Sequence, residues 1–82
     1  MTGQLLDTDD RKEAFMALSR LDNRQRKDYL NWCCRQAKTP VSVTHTSGEA
    51  RDVWSDLMML IVNYQIPPRT LFEELQRRVR LT

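Results

Sequence analysis

Glycine and proline are scarce: two and three residues in a chain of 82. That is too few for a β-sandwich or barrel, which place such residues at nearly every corner. A single histidine and two adjacent cysteines fall short of a zinc site and of a histidine-based catalytic set. Apolar runs are short as well. The longest, Leu57–Val62, is far below the roughly 18 to 20 residues that cross a membrane. The first ten residues lack the basic-then-apolar order of a secretion signal. Together these absences predict a soluble, cytoplasmic, mainly helical protein that is not an enzyme, has no membrane partner and calls for no cofactor or metal. Cys33 and Cys34 are expected to be reduced, because sequence neighbours make an awkward disulfide.

The composition is that of a folding chain, 40% hydrophobic and 29% charged, which disfavours disorder. At this length there is room for one core. We therefore expect a single helical domain over residues 1–82, with residues 1–7 as a flexible N-terminal arm. Asp10 and Glu13 form a capping-box pair, and Ala14, Ala17, Leu18 and Leu21 recur at helical spacing, with Phe15 at the stripe's edge and Met16 pointing away. Asp7, Asp9 and Asp10 favour the positive end of that first helix. Asp22 and Gln25 make a second capping box, and a second helix runs from about Asn23 to Lys38, stopped by Pro40.

On the second helix Tyr29, Leu30, Cys33, Cys34 and Ala37 share one arc with Arg26. Burial on that arc predicts that at least one cysteine resists thiol reagents in the native state. Arg24, Lys27, Asn31, Arg35 and Lys38 line the opposite side. That basic stripe would be about 21 Å long, enough to follow a few phosphates, and Trp32, about 100° round the helix, is placed to stack on a base. The plain alternative is a solvated face. Charge is segregated: residues 11–38 hold eight bases and three acids, whereas residues 1–10 hold three acids and no base.

Residues 39–46 (TPVSVTHT) alternate Val41 and Val43 with polar neighbours and read as a short extended crossing. Thr46 and Glu49 form a third capping box, opening the longest helix at about Ser47–Gln65. Its core stripe is Ala50, Val53, Trp54, Leu57, Leu60, Ile61 and Tyr64. Met58, Met59 and Val62 fall outside that arc, so this helix is apolar nearly all round from Leu57 to Val62, as a central or interface helix is. Pro68 suits the first position of a fourth helix to about Arg80, with Leu71, Phe72, Leu75 and Val79 inward and Glu73–Arg77 and Glu74–Arg78 as intrahelical pairs.

His45 stands among Ser42, Thr44, Thr46 and Ser47 without an orienting acid or oxyanion hole, and the hydroxyls are explained by capping. Residues Leu21–Tyr29 (LDNRQRKDY) resemble the first helix of sigma-factor-type DNA-binding domains. No helices with a short Gly-containing turn follow at the required distance, so no residue is carried over from that likeness.

The expected fold is all-α: about four helices as two helical hairpins joined by a short extended segment, packed around helix three. The expected function is that of a small non-enzymatic binding protein, an adaptor, regulator or inhibitor of a partner protein and a homodimer, with Met58, Met59 and Val62 at the partner or dimer surface. The alternative is a nucleic-acid-binding regulator, or a binder of an acidic partner, using Arg24, Lys27, Asn31, Trp32, Arg35 and Lys38.

Overall fold

A computed structural model of the chain describes residues 8–38 and 47–81. Four helices account for nearly all of them: α1 (Thr8–Arg20), α2 (Asn23–Ala37), α3 (Ala50–Asn63) and α4 (Pro68–Leu81). The fold is all-α, with no strand among the described residues. The expected N-terminal arm, the extended segment 39–46 with His45, and the stop at Pro40 lie outside them.

The helix ends follow local chemistry. α1 begins before Asp10, so Asp9 and Asp10 sit in its first turn, where carboxylates favour the helix dipole, and Asp10 is not its N-cap. α2 opens as expected: the Gln25 N–H donates to Asp22 Oδ1 at 2.8 Å and the Asp22 N–H donates to Gln25 Oε1 at 2.9 Å. It closes on Lys38 in a left-handed conformation (φ 53°), whose N–H donates to the Arg35 carbonyl. α3 starts later than expected. Its N-cap is Glu49, with no side-chain cap bond of its own, so Glu49 cannot be the third residue of a Thr46 box. Ser47 serves instead: its Oγ accepts from the Glu49 N–H (3.1 Å) and donates to Asp52 Oδ2 (2.5 Å). Gly48, at φ +88°, prevents an earlier start, because that backbone is not helical. Gln65, at φ 56°, follows the end of α3, two residues short of the expected stop, and α4 opens on Pro68.

Each helix buries most of the stripe its periodicity marks, with Ala50 and Trp54 of α3 half-buried. Ala14, Ala17, Leu18 and Leu21 meet Tyr29, Leu30, Cys33, Cys34, Val53, Leu57, Leu60, Ile61, Leu71, Phe72 and Leu75 in one core. Trp54 of α3 joins three helices, meeting Phe15 edge-on at 5.8 Å and stacking on Phe72 at 5.9 Å. The Tyr29 hydroxyl donates to the Leu71 carbonyl at 2.5 Å, tying α2 to α4. Ala37 and Val79 are half-buried at the margin, and Tyr64, expected in the core stripe, is exposed.

The pairing of helices differs from two sequential hairpins. The extensive contacts are α2 with α3, α1 with α4 and α1 with α3, while the consecutive pairs α1–α2 and α3–α4 touch only weakly. Helix directions explain this. Asn23 at the start of α2 lies against Gly48 at the start of α3, and further along Cys34 feels the Asp56 carboxylate, so the two helices run in the same sense. Arg26 brings the end of α1 to the same corner, and Phe15 then meets Trp54, so α1 runs opposite to α3.

Candidate functional site

α3 is sandwiched edgewise between α2 and α1, so its solvent side is the side diametrically opposite its core stripe. At 100° per residue, Arg51, Ser55, Met58, Met59 and Val62 surround that outer line. Met58 is half-buried and packs against the core margin. Met59 and Val62 project outward, 47% and 67% exposed, although Val53, Leu57 and Leu60 behind them are buried. Of the three residues expected at a partner surface, two are therefore free apolar side chains and the third forms their base.

The basic stripe of α2 is formed but divided. Arg24, Arg35 and Lys38 are exposed, whereas Lys27 and Asn31 are half-buried. Lys27 lies beside the entry to α3, where its Cε would be 3.1 Å from a Cβ at Gly48. Asp28 stands exposed next to the stripe, and Glu49, Asp52 and Asp56 follow one another at helical spacing along the neighbouring α3. Trp32 is half-buried, stacked on Tyr29 with ring centroids 6.3 Å apart, so its inner face is already occupied. The arrangement sets these cations beside a Trp32 with one face covered by Tyr29.

The cysteines are both free and buried. Burial pushes the Cys33 thiol up to about 12, against a smaller opposing effect of its hydrogen bond with Tyr29. Burial also raises Cys34, with the Asp56 carboxylate adding to it. Thiols held protonated are poor nucleophiles and poor metal ligands. Among the described residues no group of three or more His, Cys, Asp or Glu is placed to hold a metal ion. No described helix is long and apolar enough to cross a membrane.

Two features were not drawn from the sequence. One is a furrow along the α1–α4 seam, with a volume of about 380 Å³ at one end, floored by Ala14 and Phe72 and edged by Asp10, Glu13, Arg69 and Arg80. The signal was the pair Ala14 and Ala17, whose small side chains leave space between helices. The other is the place of Arg77 on α4: Glu74 takes Arg77 (3.1 Å) as well as the expected Arg78 (2.8 Å), in place of a separate Glu73–Arg77 bridge. These contacts, the Arg77 hydrogen bond foremost, hold the Glu74 carboxyl below its ordinary range.

Comparisons with protein-family models, with curated proteins and with solved structures return no match for this chain.

Proposed function

We propose that this chain is a non-enzymatic helical binding protein, an adaptor, regulator or inhibitor that acts by pressing the outer face of α3 against another protein. The observation that carries this reading is the exposure of Met59 and Val62, at 47% and 67%, on the helix whose other side is the core. Solvated apolar side chains favour burial, at roughly 25 cal/mol per Å² covered. Methionine adapts its shape to an opposing surface. A reducing, cytoplasmic setting suits two unpaired thiols.

A second reading rests on Arg24, Arg35 and Lys38, which are exposed along α2 and would hold phosphates of a nucleic acid. One experiment separates the two. The tagged chain is purified from its native host with and without nuclease, as wild type, as Val62→Lys and as Arg24→Gln with Arg35→Gln. A stoichiometric protein that survives nuclease, is lost on Val62→Lys and is kept by the double arginine variant is the expected result. Recovery that depends on nucleic acid and on the arginines, and is indifferent to Val62, contradicts it and favours the second reading.

A further inference from the structure

α1 carries opposite charges at its two ends, with Asp9 and Asp10 in the first turn and Arg20 in the last. Asp9, Glu13, Met16 and Arg20 follow one another at steps of four, three and four, so they share one narrow arc of the helix. The arc turns away from the core on the α4 flank. There Glu13, Met16 and Arg20 line a second recess of the seam, about 400 Å³, which continues the first through Glu13 and Gln76. Met16 stands in solvent at 55% exposure, and neither Asp9 nor Arg20 is in an ion pair among the described residues. Small side chains, Ala14 and Ala17, leave the furrow open beside this arc, with Phe72 in its floor. α4 runs in the same sense as α1, since Arg69 shares a recess with Asp10 at one end and Leu81 with Leu21 at the other.

We propose that the α1–α4 furrow takes α1 of a second copy of the chain, antiparallel to its own α1, across a two-fold axis midway between Glu13 and Met16. An axis there sets position 9 against position 20 and position 13 against position 16. Asp9 of each copy then meets Arg20 of the other, so an ion pair closes each end of the contact. Arg80, on the rim of α4 near its C-terminus, adds a second base for the incoming Asp9. At the opposite end Arg69 is accompanied by Glu73, one turn on, so the incoming Arg20 finds an acid on both rims. Between the ends, Met16 enters the other copy's furrow over Phe72 and Ala14. A parallel pairing would set Asp9 against Asp9 and Arg20 against Arg20. The contact is isologous, so one patch satisfies both copies and no open chain of molecules forms. α1 meets α3 on its other flank, through Phe15. Self-pairing on α1 therefore leaves both outer faces of α3 open, and the pair presents two binding faces at once. One helix face and the rim of another make a small interface, so the dimer is weak. Below its dissociation constant the copies separate and Met16 returns to solvent.

Light scattering across a concentration series tests this, with two variants measured apart and then mixed. The wild type should approach twice the 9.7 kDa chain mass. Asp9→Arg alone and Arg20→Asp alone each set like charges together at both ends, and each should raise the dissociation constant about tenfold. An equimolar mixture of the two variants restores opposite charges at both ends, so it should pair about as well as the wild type. Positions 9 and 20 lie three turns apart on one helix and cannot touch within a chain, so recovery in the mixture reports a contact between copies. Met16→Glu, which keeps both end charges and faces Glu13 of the other copy, should weaken the pair as well. All three sites are exposed, and circular dichroism checks that the variants remain helical. A wild type that is monomeric at every concentration overturns the proposal. So does a dimer indifferent to the single variants, or a mixture that pairs no better than its components. The capture lost on Val62→Lys reads a different helix, so the α3 reading fails or stands separately.

Discussion

Arg26 lies in the interior, at 8% exposure, and bonds only to neutral oxygens. Its Nε donates to the Gly48 carbonyl (2.5 Å), Nη1 to the carbonyls of Leu18 (2.8 Å) and Leu21, and Nη2 to Asn23 Oδ1 (2.5 Å). The guanidinium is thus the cap of α1 and the clamp on the entry to α3, offsetting a desolvation cost that would otherwise expel it. Next to the core, Cys33 illustrates a different consequence of burial. Its thiol ionises near 12 in the native chain and near 9 when exposed, so above pH 9 the unfolded state has lost a proton that the native state keeps. Stability from this group is therefore complete below pH 9 and declines as pH rises towards 12, by up to about 1.4 kcal/mol per unit. Burial raises Tyr29 as well, which extends the decline above its ordinary value of 10.0. Urea unfolding at pH 8, 9, 10 and 10.5 should show a flat region and then a fall, shallower in Cys33→Ala. Constant stability to pH 10.5 would contradict native burial of these groups.

Among the elements, the start of α3 is the most constrained junction. A Cβ on Gly48 would lie 3.0 Å from the Asn23 carbonyl oxygen and 3.1 Å from Asn23 Cβ, at a φ of +88° that side chains avoid. Gly48→Ala should therefore cost about 2 kcal/mol or more, combining backbone strain with a clash against α2. Thermal unfolding should register this as a fall of roughly 10 °C, and a variant as stable as the wild type would mean that the corner is not formed. The same corner explains what the sequence shows and hides. Asp22 and Gln25 are neighbours along the chain, so their capping box is legible from spacing alone. The core stripes of all four helices are legible for the same reason, since 3.6-residue recurrence is a local property. Arg26 is even placed on the buried arc of α2 by its position, though its partners are not. The start of α3 is different, because it depends on the Gly48 carbonyl being held by Arg26, 22 residues earlier. Local pattern reading prefers Thr46 there, and nothing in residues 46–49 announces the distant clamp.

At the scale of the whole molecule, which helices touch is set by directions that periodicity does not encode. The contacts run in the order α2, α3, α1, α4, so among the described helices α3 is flanked on two sides and left open on the third. A chain of this size has little material left to cover that side, which is why Met59 and Val62 remain in solvent whereas Met58, nearer the Trp54 edge, does not. The apolar excess of α3 was visible in the sequence. Which of its three residues stay exposed depends on where α1 and α2 settle. Met16, on α1 and 55% exposed, offers an internal reference for Met59 at 47%. Hydroxyl-radical footprinting should compare the chain alone at low concentration with the complex recovered from its host. Oxidation of Met59 falling in the complex, with Met16 oxidised as before, is the expected result for binding through the outer face of α3. Equal oxidation of Met59 in both states, or protection of Met16 alone, would contradict it.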